Sequence, residues 1–156
     1  MTPPATGHVL VVGYGNPLCG DDGAGPAVVE RLSSDPRLAG AELQARHQLA
    51  PELAPDIAMA SLVVLVDAGT ELAPGEVAVT RVDPAADDGS AWSHRVAPAG
   101  LAALAAELFG AAPPVYAVCI GADSMELGEG LSPVVAGAIA GAADAVAGIV
   151  EAHRHA

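Results

Sequence analysis

The sequence predicts an α/β fold: a three-layer α/β/α sandwich around a mostly parallel, doubly wound sheet of about five strands, one of them antiparallel. Three observations carry this reading. Short continuous apolar runs recur at residues 9–12, 62–66 and 115–120, helix-patterned stretches lie between them, and one alternating run follows a Pro-Gly turn. Apolar runs this short and unbroken mark strands buried on both faces, as in a central parallel sheet. Strands that alternate with helices need crossovers, and right-handed crossovers place helices on both faces.

The elements follow in order. Residues 9–12 form a strand ended by Gly13. A helix over residues 26–32 opens with Pro26, which a first helical turn tolerates, and Val28, Val29 and Leu32 share its face. Residues 41–48 make a weaker strand, with Leu43 and Ala45 alternating against polar neighbours. After the strand at 62–66, the Pro74-Gly75 turn signal precedes Val77 and Val79, which suggests a hairpin-like strand over 76–82 at or near an edge. Leu101, Leu104 and Leu108 give residues 97–109 an amphipathic helical spacing. Ser132 and Pro133 start a last, Ala-rich helix. Its apolar stretch, 134–150, is 17 residues long and carries Asp144, short of the roughly 20 apolar residues that span a bilayer, so a buried helix on the sheet is expected.

With 156 residues and no linker or repeat, one domain spanning 1–156 is expected. The 52% hydrophobic and 16% charged content separates the chain from disordered polymers. A net charge of -13 opposes a phosphate backbone, which argues against a nucleic-acid partner. Cys19 and Cys119 are too few for a disulfide framework and lack a Cys-x-x-Cys spacing. Residues 1–8 show no basic stretch ahead of an apolar one, so a cytoplasmic protein without a membrane partner is expected, with a monomer as the default.

Chemistry is sought beyond the carboxyl ends of the strands, where open α/β sheets bind ligands. Residues 13–25, GYGNPLCGDDGAG, leave a strand for a helix. Leu18 stands where a dinucleotide-binding turn wants glycine, and Asp21 and Asp22 would repel a diphosphate. Either aspartate also suits a helix start, where its charge meets the dipole favourably. Asp67 follows the run 62–66 and is expected at the tip of a central strand, although a turn aspartate bonded to its own backbone reads the same way. His94 lies in a loop ahead of the helix at 97–109, and by spacing alone is an ordinary loop histidine. Together, Asp22, Asp67 and His94 make an oxygen and nitrogen set suited to nickel or zinc.

The runs GYGNPLCGDDGAG and LVVLVDAG, the Ser93-His94 pair and the segment GEGLSP at 128–133 resemble, in order and spacing, the hydrogenase maturation endopeptidases. The resemblance covers about residues 9–149. It implies a twisted, mostly parallel sheet between helices. The implied activity is removal of a C-terminal extension from the large-subunit precursor of a nickel-iron hydrogenase after nickel insertion. It places metal contact and catalysis on Asp22, Asp67 and His94, with nickel carried by the substrate. It also assigns substrate recognition to Asn16 and to His47-Gln48-Leu49, which stands where many relatives carry an Asp-Gly-Gly-Thr-like stretch. The His-x-Leu variant looks like the branch serving bidirectional, NAD-linked hydrogenases.

Water activation by an aspartic-type pair or by the metal stays open at this level. So do two rival functions: a zinc-type metallohydrolase of a small amide or peptide, and a nickel-binding chaperone that docks on the precursor without cutting it. Cys19 with His94 as a thiol protease is a lesser rival, because nearby acids raise a thiol pKa.

Overall fold

The computed structural model describes residues 8–86, 97–110 and 113–156. Five strands form one sheet: β1 (Val9–Tyr14), β2 (Glu42–Arg46), β3 (Leu62–Gly69), β4 (Val77–Arg81) and β5 (Val115–Gly121). Their spatial order is β2-β1-β3-β5-β4, all parallel except β4, which runs antiparallel to β5. The helices are α1 (Ala24–Leu32), α2 (Ala54–Met59), α3 (Pro98–Phe109), α4 (Pro133–Ala136) and α5 (Ile139–Arg154). The predicted sandwich is therefore present, with its one antiparallel strand at an edge.

Side chains alternate across each strand and build two cores. Val9, Val11, Leu62, Val64 and Val66 face α1, α4 and α5, whereas Leu10, Val12, Val63 and Leu65 face α2 and α3. Both faces of β1 and β3 are thus dry, which explains why their sequences read as unbroken apolar runs. By the same alternation Tyr14 follows Leu10 and Val12, and Asp67 follows Val63 and Leu65, onto the α2 and α3 side.

The structure departs from the sequence reading in several places. β1 runs through Gly13 to Tyr14, and β3 continues to Gly69, so Asp67 lies within its strand, paired in register with Cys119. β4 does not close a hairpin on the strand before it. β5 arrives later in the chain and inserts between β3 and β4. Helix α2 was not foreseen: it has only six residues, and Pro51 and Pro55 around its start read as breakers.

The single last helix expected from Ser132 onward is divided at Gly137-Ala138 into α4 and α5, and α5 runs on to Arg154; taken together, Pro133–Arg154 is long and apolar enough to cross a membrane by length and composition. Length therefore does not settle its role; packing does. Val135, Ile139, Val146 and Val150 are buried against the sheet, each worth roughly 1.5–3 kcal/mol over exposure. Asp144 sits on the outer side in an ion pair with Arg37 at 2.8 Å.

Contact between α1 and the sheet depends on Gly25. A Cβ there would lie 2.4 Å from the Val66 carbonyl oxygen and 2.7 Å from that of Tyr14. An ordinary helix glycine gains about 1 kcal/mol on replacement by alanine. Gly25→Ala is expected to lose about 3 kcal/mol instead, because both obstructing atoms are backbone. Urea midpoints decide between the two signs.

Candidate active site

β1 is followed by a crossover to β2 on one side and β2 by a crossover to β3 on the other, so the chain reverses direction across the sheet beside β1. Such switch points leave a crevice beyond the strand ends. A cleft of about 150 Å³ lies there. Tyr14 and Gly15 border it at the end of β1, and Asp22 enters from the turn that follows. His47 and Leu49 line it after β2, and Asp67 and Ala68 line it from β3. Ligand pockets usually measure about 300–1,000 Å³, so this one takes a side chain or an ion and not a nucleotide. A larger hollow of about 610 Å³ sits at the opposite end of the strands, beside Leu62, Arg81 and Ile149, and neither Asp22 nor Asp67 borders it.

The Asp22 carboxylate is held by its own loop. Its Oδ2 accepts the backbone N–H of Asn16 at 2.7 Å, while Asn16 Oδ1 accepts the N–H of Leu18 at 2.9 Å. Gly15 has a φ of +138°, and a Cβ on it would fall 1.9 Å from the Asp22 carbonyl oxygen, so only glycine allows the loop to close this tightly. The Gly15 N–H donates to the Arg46 carbonyl at 2.9 Å and ties the loop to the end of β2.

Asp67 is gripped from both neighbouring strands. The Tyr14 hydroxyl donates to its Oδ2 at 2.9 Å, and Cys119, its register partner on β5, places a thiol against it. Burial raises the Asp67 pKa above the ordinary carboxylate value, and the negative charge of Asp22 adds to the rise; the phenol and thiol donors oppose it without cancelling it. Burial and the Asp67 charge drive the Tyr14 phenol up as well. The Cys119 thiol is pushed up to about 12 by burial, then by Asp67 and more weakly by Glu71. Both groups therefore stay protonated near neutral pH and act as donors, not nucleophiles.

Asp21 has a different task from its neighbour. It is fully buried, and its carboxylate accepts four hydrogen bonds: from the N–H groups of Asp123 (2.9 Å), Ser124 (3.0 Å) and Ser132 (2.7 Å), and from the Ser132 hydroxyl (2.8 Å). Burial alone would raise its pKa, but these bonds outweigh it and hold the group below the usual carboxylate range. It is a clamp between the loop after β1 and the segment after β5.

Of the predicted site residues, Asp22 and Asp67 share the cleft, and His47 and Leu49 form part of its wall. Leu49 is buried in the core beneath, Gln48 is exposed away from the cleft lining, and Asn16 serves the loop itself. His94 lies outside the described residues. Among the described residues no three His, Cys, Asp or Glu side chains gather to hold a metal ion, so the two aspartates alone do not complete a ligand set. Cys19 takes part in a backbone bridge to Gly128 and does not border the cleft. Tyr14 and Cys119 were missed by sequence reasoning. They act on Asp67 from more than 50 residues away in the chain, and neither carries a local signal.

The same architecture occurs in solved structures. The chain superposes on the hydrogenase maturating endopeptidase HybD from E. coli with a TM-score of 0.71 and 26% identity, covering 92% of each chain. The fold is that of the hydrogenase maturation endopeptidases. A hydrogenase 2 maturation peptidase from a Thaumarchaeota archaeon matches with a TM-score of 0.70 and 26% identity over 92% of this chain and 97% of that one. The [NiFe] hydrogenase maturation protease HycI from Thermococcus kodakarensis gives 0.72 and 25% identity over 94% of each. No family profile matches the sequence, and no curated protein does. The maturation endopeptidases are thus recovered through shape at low identity, over nearly the whole length of either partner.

Proposed function

We propose that the protein is a cytoplasmic endopeptidase that removes the C-terminal extension of a nickel-iron hydrogenase large-subunit precursor once nickel has been inserted. One observation carries the reading: two carboxylates share a small cleft at the switch point of a sheet whose fold matches the hydrogenase maturation endopeptidases over more than nine-tenths of either chain. That likeness supports a protease role in hydrogenase maturation. The metal belongs to the substrate. Nickel seated in the precursor meets Asp22, Asp67 and His94, and the contact positions the scissile bond.

Hydrolysis then needs a water whose proton is removed as its oxygen attacks the carbonyl carbon. An aspartate acting as base would take that proton and pass it to the amide nitrogen as the C–N bond breaks, or the substrate's nickel would supply Lewis acidity toward the water, its positive charge stabilising the oxyanion. The raised pKa of Asp67 suits it to hold a proton during this transfer. His47, on the cleft wall, and Leu49 beneath it shape the entrance and help to select the precursor; the His-x-Leu pattern fits a bidirectional, NAD-linked hydrogenase.

The test compares nickel-loaded with nickel-free precursor and follows the mass of the large subunit. Loss of the C-terminal extension is expected only from the loaded form. Equal cutting of both would remove the nickel-sensing step, and an uncut precursor that nevertheless binds would favour a chaperone.

A further inference from the structure

The loop after β1 and the segment after β5 are bonded into a double loop beside the cleft. Cys19 and Gly128 pair as a parallel bridge, Gly20 N–H donates to the Gly128 carbonyl at 2.8 Å, and Gly128 N–H donates to the Leu18 carbonyl at 2.7 Å. The bridge ties the turn that carries Leu18 to the bend that carries Leu127. Both leucines face water. Leu127 is 87% exposed and Leu18 is 50% exposed. Two loops bonded to each other thus each expose a leucine that no described residue covers, and large exposed apolar side chains grouped on one surface mark interaction sites.

The same two loops, with the outer side of α1, frame a hollow of about 210 Å³. Pro17, Pro26, Ala27 and Leu131 give it apolar walls, and Glu30 is its one charged residue. The Glu30 side chain is exposed and makes no ion pair among the described residues. An apolar hollow with a single exposed carboxylate on its border matches the aliphatic stem and cationic head of lysine or arginine. The surroundings favour the same sign: Asp123, Glu126 and Glu129 are exposed on the double loop, and neither residues 13–30 nor residues 96–153 contain a lysine or arginine.

We propose that the double loop is a docking platform for the substrate protein, on which a segment of the precursor lays an apolar side chain over Leu18 and Leu127 and inserts a lysine or arginine toward Glu30. The proposal rests on the protease reading for the identity of the partner. Docking here supplies affinity at a distance from the scissile bond and leaves the chemical step to the cleft.

The experiment uses the full chain and a hydrogenase large-subunit precursor that retains its extension, with affinity by calorimetry and cleavage by mass recorded separately. For the double variant Glu30→Arg, Leu127→Ser, Kd and KM are expected to rise about tenfold while kcat and Tm hold. Glu30→Gln alone should give a smaller rise in both. Added salt should weaken binding by the parent chain more than by the double variant. Unchanged Kd and KM, a loss confined to kcat, or no binding by the parent chain would overturn the docking platform. Binding by the parent without cleavage, still weakened in the variant, would sink the protease reading and leave the platform standing.

Discussion

The Asp67→Asn protein is expected to fold, to cut its precursor at least about 1,000-fold more slowly, and to melt at a higher temperature than the parent at neutral pH. The first effect follows from the role proposed above, in which the Asp67 carboxylate handles the proton and meets the substrate's metal; its loss is worth about 4 kcal/mol in barrier height at that ratio. The second follows from linkage. The folded pKa of Asp67 lies above its unfolded value, so the folded state prefers the protonated acid. Ionisation above the unfolded value, near 4, costs stability, and the cost grows as pH rises through the folded pKa. Asparagine stays neutral and can still accept the Tyr14 hydroxyl. Melting curves at pH 7 and pH 3.5 check the sign: the gain should be present at the higher pH and vanish at the lower. A variant that melts lower than the parent at pH 7 would show that Asp67 is structural.

Asp21→Ala should do the reverse, costing about 3–5 kcal/mol of folding free energy. Removing this carboxylate strands the N–H groups of Asp123, Ser124 and Ser132, and each buried unpaired donor is penalised by about 1–3 kcal/mol. Asparagine is no substitute, since its amide would turn donors toward donors. A domain of this length loses about 2–4 °C of Tm for each kcal/mol, so the variant should melt at least about 6 °C lower. The pH signature differs as well. A depressed pKa stabilises the fold above the unfolded value and is lost as pH falls through the folded one. The parent should therefore weaken in acid, and Asp21→Ala should flatten that dependence. Guanidinium titrations between pH 7 and pH 3 measure both effects.

These two adjacent aspartates show what the sequence could and could not reveal. Both read as polar members of a glycine-rich loop, and nothing local separates the acid in the cleft from the acid in the clamp. Their partners decide it, and those of Asp21 lie 102 to 111 residues downstream. β1 and β3 were legible because burial on both faces leaves no polar residue to interrupt their runs, and β5 because its run stays apolar although Tyr116, Ala117 and Cys119 are only half-buried. β2 was fainter because it is an edge strand with exposed Glu42, Ala45 and Arg46. α2 escaped notice because six residues are too few to display a helical period. The antiparallel direction of β4 was anticipated from its turn, but its partner was not, since a Pro-Gly signal reports a reversal and not where the next strand inserts. Tyr14 and Cys119 became visible only when parallel register brought them beside Asp67.

The order in which the strands are joined has a consequence for synthesis. A ribosome releases β1, β2, β3 and β4 first, yet β4 has no place in the sheet until β5 emerges to separate it from β3. The glycine-rich loop likewise waits for Ser132, the furthest anchor of Asp21. A nascent chain holding both cleft aspartates therefore lacks the scaffold that aligns them until synthesis has passed β5 and Ser132.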